Sequence, residues 1–421
     1  MTQTVRAKHV VLAYSGGLDT SVAIRWIAEQ YGAEVTALSV DVGQEGELVG
    51  ALDRARRNGA RDALLVDAKR RFAEEFLGPA LRANALYEGI YPLSTALARP
   101  LIARTLAETA QELGADAVAH GCTGKGNDQV RFDVALQTLA PELRIIAPVR
   151  EWNMNRVDEI RYAQTHGIQI RATHESPYSV DENLWGRSIE GGRLEDPDTP
   201  APEEVFEWTG HPDQWPREPE DIEVGFEEGF PVSLDGQPLD PVPLIQTMNR
   251  RAGAHGVGRI DHVEDRVVGI KSRETYECPG AVALLEAHRA LETLVHPRDL
   301  LQFKAGVDRR FSDLVYEGQW FSPLRAALSG FLAETQKVVT GTATVRLFQG
   351  SARAVGRRSE HSLVAPELAT YGVADRFPSE YAVGFIHLYG LPNRLAHAKG
   401  KKGEKAPSGA RDAARTVPNP A

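Results

Sequence analysis

The sequence predicts an α/β protein: a parallel-sheet domain with helices on both faces over residues 1–173, then an α+β domain over 174–385. Three observations carry this expectation. Short apolar runs alternate with amphipathic stretches through the first part. A glycine turn follows the first apolar run directly. Beyond about His174 the alternation gives way to acidic, proline-rich excursions and mixed elements.

Taken in order, Val10–Ala13, Val35–Val40, Ala63–Val66, Ala117–Ala119 and Ile145–Val149 read as buried strands, short and flanked by glycine or charge. Between them Ser21–Tyr31, Glu47–Asn58, Phe72–Ala85, Pro100–Leu113 and Asn155–His166 read as amphipathic helices. Such alternation implies a parallel sheet with right-handed crossovers, and ligands there bind beyond the carboxyl ends of the strands. In the second part Glu195–Pro219 reads as a long surface excursion. Val224–Phe226 and Pro231–Leu234 read as strands, and Pro243–Ala254, Ala281–Leu294 and Pro323–Thr335 as helices. Val338–Phe348 and Ala352–Val355 alternate like an antiparallel pair. From about His397 to residue 421 the chain mixes Lys, Gly, Ala and Pro without periodicity, which predicts a disordered tail.

A chain of 421 residues exceeds one ordinary core, in line with two domains and a terminal appendage. Residues Met1–Lys8 are polar and basic, and no apolar run approaches the roughly 20 residues a membrane helix needs. A net charge of −10 argues against broad binding of nucleic acid or anionic membrane. Cys122 and Cys278 stand far apart, and His120, His174, His255 and His262 lack ligand spacing, so no protein-held metal is expected. These features suit a cytoplasmic, metabolite-handling protein.

Two segments carry chemistry. Ala13-Tyr14-Ser15-Gly16-Gly17-Leu18-Asp19-Thr20-Ser21 turns from strand into helix. Its glycines allow a sharp turn with exposed amides. The hydroxyls of Ser15, Thr20 and Ser21 stand where the helix dipole and its open N–H groups favour an anion. Neither the P-loop nor the dinucleotide fingerprint has this spacing. A capped turn without a ligand is the plain alternative. The second segment, His120 to Phe132, also follows a strand and contains Gly121, Gly124 and Gly126. There Asp128 can meet an ammonium, while Lys125 or Arg131 can meet a carboxylate. Its plain alternative is a polar loop in which Asn127 or Asp128 caps a helix beginning near Arg131.

The first segment resembles the pyrophosphate loop of ATP pyrophosphatases, and both together resemble the argininosuccinate synthase family. The likeness continues through Tyr87-Glu88-Gly89 to Ala98-Arg99-Pro100, Ile146–Trp152, Asp181–Ser188, His255–Asp261, Lys271-Ser272-Arg273 and Tyr276-Glu277. It implies an ATP-dependent ligase that joins citrulline to aspartate through a citrullyl-AMP intermediate, releasing AMP and pyrophosphate. By resemblance, ATP is bound by Ala13 to Ser21, by Val40 through its backbone, and by Gly121. Aspartate is held by Thr123, Asn127 and Asp128; citrulline is held by Tyr91, Asn127, Arg131, Ser179, Ser188, Glu264 and Tyr276. Some members carry serine where Ala96 stands; here that contact is absent or taken by Thr95. Mg2+ on the phosphates and a homotetramer are further implications. Members often assemble through a C-terminal helix, but Gly390 and Pro392 interrupt Ile386–Leu395. The loop alone also fits an adenylating tRNA-modification enzyme, which would want a basic face, or an inactive ATP-binding regulator, which turnover would exclude.

Overall fold

The computed structural model describes residues 7–44, 46, 48–152, 154–170, 177–372 and 376–403. Residues up to Leu363 form one compact unit and a smaller one begins at Val364. Glu47, His174 and the expected boundary at 173/174 lie outside the described residues.

The first half runs β1 (His9–Ala13), α1 (Leu18–Tyr31), β2 (Glu34–Asp41), α2 (Leu48–Arg57) and β3 (Asp62–Asp67). Next come α3 (Lys69–Phe72), a π-helical turn Ala73–Leu77, α4 (Gly78–Arg82) and α5 (Ser94–Glu112). It continues with β4 (Ala117–Ala119), α6 (Asn127–Leu139), β5 (Arg144–Ile146), α7 (Pro148–Glu151) and α8 (Arg156–Thr165). All five strands are parallel, in the order β3-β2-β1-β4-β5. The order reverses between β1 and β4, the point where such sheets open a crevice for ligands. The two glycine-bearing loops follow these two adjacent strands. One core, with Val10, Leu12, Ile24 and Ile27, packs α1 onto the sheet. The other joins Val11, Leu38 and α5 to the remainder of the unit.

Several sequence-based boundaries move. The helix expected from Pro100 begins at Ser94 and carries Pro100 in its interior. Ala96, Leu97, Ala98 and Leu101 are fully buried, and that packing outweighs the proline penalty. The helix expected near Arg131 starts at Asn127, with Gly126 as cap and no side-chain cap, so the capping role weighed for Asn127 or Asp128 is not used. The expected strand Ile145–Val149 ends at Ile146, because Pro148 opens α7.

The second half contains β6 (Ser179–Asn183), β7 (Gly186–Glu190), β8 (Glu220–Glu227), β9 (Phe230–Leu234), β10 (Gln237–Pro238) and α9 (Pro241–Ala254). It continues with β11 (Arg259–Asp265), β12 (Lys271–Glu277), α10 (Pro279–Val295), α11 (Arg298–Tyr316), α12 (Pro323–Gln336), β13 (Gly341–Phe348) and β14 (Ser351–Arg358). Two antiparallel sheets result, β10-β9-β8-β13-β14 and β11-β12-β7-β6. The four-stranded sheet was not anticipated, because its strands are mostly polar and give no clear apolar alternation; α11 was also not anticipated, although it carries an apolar face.

The small unit holds α13 (Pro366–Ala369), α14 (Ser379–Tyr389) and α15 (Leu391–Gly403). The interruption expected near Gly390 falls there, where α14 ends on Gly390. The tail expected to be disordered from His397 is instead helical to Gly403, as a continuation of the helix that begins at Leu391. Residues 404–421 lie outside the described residues. Among the described residues no helix is long and apolar enough to cross a membrane.

Candidate functional site

The Ser15–Ser21 run divides into an inward and an outward set. Tyr14 and Ser21 are buried, and their hydroxyls lie 3.1 Å apart behind the loop. Tyr14 ties the turn to β2: its N–H donates to the Leu38 carbonyl and its carbonyl accepts from Ser39 Oγ. The side chain of Leu18, the first residue of α1, is partly buried against the sheet core. Ser15 and Gly17 face outward, with Ser15 Oγ 3.1 Å from Thr20 Oγ1 and accepting from the Gly17 amide. Gly17 caps α1 without a side chain, leaving the first helical amides for an anion. Gly16 adopts φ +79°, which an L side chain resists. Ala13 ends β1, while Val40 is buried and its carbonyl accepts from Gln44 Nε2.

Gly121 starts the second loop against the first. A Cβ there would sit 2.9 Å from Thr20 Cγ2, so glycine at this position lets the two loops touch. Beyond it, α6 presents Asn127, Asp128 and Arg131. Asp128 lies between two guanidiniums: Arg99 Nε donates at 2.8 Å and Arg131 Nη1 at 3.0 Å. Arg99 also pairs with Asp181. Burial opposes the charge on Asp128, but Arg99 and Arg131 overcome it and hold its carboxyl below the usual range. At Asp181 burial prevails and the carboxyl is raised. The Cys122 thiol is pushed up by burial, which suits a filler rather than a nucleophile.

The four-stranded sheet supplies the rest. In its register Ser188 stands opposite Asp181 on one side and Tyr276 on the other, and Ser179 stands opposite Glu190. Because side chains alternate, one face carries Ser179, Asp181, Ser188, Glu190, Glu264, Glu274 and Tyr276. Tyr276 donates to Glu264 Oε2 at 2.6 Å and Tyr316 donates to Oε1 at 2.5 Å. Asn127 Nδ2 donates to the Tyr316 hydroxyl, and its Oδ1 accepts from the Val267 amide. Tyr91 stacks on Tyr276 with ring centres 4.0 Å apart, and Thr95 donates to Ser188 Oγ. Burial, then Tyr91 and Glu264, keep the Tyr276 phenol protonated.

Seven residues expected at the amino-acid site therefore converge: Tyr91, Asn127, Asp128, Arg131, Ser188, Glu264 and Tyr276. Thr123 and Ser179 are exposed, and among the described residues no hydrogen bond ties their side chains to this network. Ala96 is fully buried, and it is Thr95 that reaches Ser188. Sequence reasoning missed Arg99, Asp181 and Tyr316 as site residues. The first two stood inside segments already singled out. Tyr316 ends α11, whose buried Lys304, Val307, Phe311 and Leu314 recur at helical spacing and could have revealed it. Among the described residues no group of three or more His, Cys, Asp or Glu side chains is arranged to hold a metal ion.

A glycine turn that opens a helix without a side-chain cap, at the switch point of a parallel sheet and beside carboxylates, guanidiniums and phenols, is the architecture of a nucleotide-using α/β enzyme. A family model described as "Arginosuccinate synthase N-terminal HUP domain" matches residues 9–169, and "Arginosuccinate synthase C-terminal domain" matches 178–396. The argininosuccinate synthase of Symbiobacterium thermophilum is 55% identical over 389 residues, 92% of this chain and 97% of that protein. That of Thermosynechococcus vestitus is 53% identical over 399 residues, 94% of this chain and 100% of that protein. The chain belongs to the argininosuccinate synthase family, and it is an ATP-using ligase that forms a C–N bond.

Proposed function

We propose that the Ser15–Ser21 loop binds the phosphates of ATP and that the network from Tyr91 to Tyr316 binds citrulline and aspartate. The observation that supports this most is the junction of Gly121 with Thr20, which brings an anion loop and an amino-acid loop to one crevice. A ureido oxygen is a poor leaving group. Its attack on the α-phosphorus forms an O–P bond as the bond to pyrophosphate breaks, and the oxygen becomes part of AMP. The α-amine of aspartate then attacks the ureido carbon, loses a proton, and AMP departs. No covalent enzyme intermediate is required.

In this reading Ser15, the Gly16 and Gly17 amides and Thr20 hold the departing pyrophosphate, while Ser21 and Tyr14 brace the loop from behind. Asp128, held ionised by Arg99 and Arg131, receives the ammonium of aspartate, with Thr123 and Asn127 alongside. Arg131 offers its charge to the citrulline carboxylate. Glu264, Tyr276, Ser179 and Ser188 orient the remainder. Their contribution is orientation and charge stabilisation. Mg2+ enters as the counter-ion of the nucleotide phosphates, since such ions commonly bind through substrate phosphates and few carboxylates.

We also propose a cytoplasmic homotetramer. Tyr381, Val383, Phe385, Ile386 and Leu388 of α14 are exposed, an apolar surface that suits association between copies. Light scattering at micromolar concentration tests it, and a monomer mass would contradict it. The chemistry is tested with citrulline carrying heavy oxygen in the ureido group. Label should appear in AMP; unlabelled AMP refutes the adenylation route.

A further inference from the structure

The run Ala13–Ser21 contains no lysine or arginine, yet the group it is proposed to release is a polyanion. Hydroxyls and amides are neutral donors. In P-loop enzymes a lysine of the loop itself supplies positive charge to the phosphates. Here a guanidinium approaches the loop from another element.

Helix α2 packs its Ala51 and Ala55 inward, and Arg54 lies three residues beyond Ala51, on the same face of the helix. A Cβ built on Gly16 would meet Ala51 Cβ at 3.0 Å and Arg54 Nη2 at 3.2 Å. Glycine at 16 therefore admits α2 against the turn and seats a guanidinium on the loop backbone.

We propose that Arg54 is a binding residue for the leaving group, its guanidinium engaging non-bridging oxygens of the β and γ phosphates. As the ureido oxygen bonds to the α-phosphorus, the bond to the bridging oxygen breaks and pyrophosphate leaves with the electron pair. Arg54 meets the charge that develops there, and its planar fork matches phosphate oxygens in a way an ammonium does not. The inference rests on the phosphate-loop reading above.

The test is binding of inorganic pyrophosphate to the full-length protein by calorimetry, with product inhibition against ATP as a second readout. Arg54→Met should weaken pyrophosphate by about tenfold or more and flatten its salt dependence, leaving citrulline affinity unchanged. Arg54→Lys, of the same melting temperature, should fall between. Ser15→Ala separates the two readings. If it weakens pyrophosphate while Arg54→Met stays within about twofold of the parent, the Arg54 inference is overturned and the loop reading stands. If neither substitution affects pyrophosphate, the loop reading falls with it. Equal affinities for Arg54→Lys and Arg54→Met, both folded, also overturn the role assigned to the guanidinium charge.

Discussion

The proposed phosphate loop and the proposed amino-acid network are built by opposite means. The loop is contiguous: nine residues, from the last of one strand to the first turn of one helix, carry their own turn, hydroxyls and amides. The network is assembled from α5, α6 and α11 and from all four strands of the β11-β12-β7-β6 sheet. Anion recognition needs little more than backbone geometry. Discriminating two amino acids needs charges of both signs at fixed separations in a dry place, which takes several elements to arrange.

This contrast predicts where each region breaks. The largest effect is expected for Gly16→Ala. Positive φ costs an L residue about 1–2 kcal/mol, and the methyl meets Ala51, so loop and α2 must separate. A displacement on the order of 1 Å costs about a hundredfold. Steady-state kinetics should show that loss in kcat/KM for ATP, and activity near the parent's would contradict the tight approach.

Glu264→Leu comes next. It leaves the Tyr276 and Tyr316 hydroxyls without their shared acceptor, at about 1–3 kcal/mol each. KM for citrulline should rise about tenfold to a hundredfold while pyrophosphate affinity holds. A parallel loss of both would mean the two regions are not separable. Tyr316→Phe is gentler, since the ring still stacks on Tyr87. About a tenfold rise in KM for citrulline is expected from loss of the hydrogen bond to Glu264 and of the acceptor for Asn127 Nδ2; no change would remove Tyr316 from the site.

The smallest effect concerns Glu159, which lies in the first half of α8 and is 5% exposed. Burial and a hydrogen bond with Asp19 raise its carboxyl from 4.5 to about 8. Between those values the folded protein keeps a proton that the unfolded chain has released. The associated stability is complete at low pH and declines as pH climbs to about 8. Glu159→Gln keeps a neutral donor toward Asp19, so thermal melts from about pH 5 to about pH 8 should lose part of their downward slope. An unchanged slope would show that Glu159 does not hold the proton.

Legibility in the sequence followed the same division. The strand–turn–helix pattern around Ser15–Ser21 was readable because apolar periodicity and glycine act over a few neighbours. Ser179, Ser188, Glu264 and Tyr276 were reached only through family resemblance. Their strands are mostly polar, so no clear apolar alternation marks them, and nothing local announces that Ser188 will face both Asp181 and Tyr276. Arg99 and Tyr316 went unassigned because their partners lie 29 or more positions away.

By itself the sequence determined the parallel sheet and the strand–turn–helix form of its first loop, since these follow from backbone conformation and nearest neighbours. Tertiary structure alone decided which charges meet. The reversal of strand order beside β1 set Gly121 against Thr20, the small residue at position 16 admitted Arg54, and the sheet register gathered Asp181, Ser188 and Tyr276. Electrostatics acts through space and through the exclusion of water, and both are properties of the packed chain.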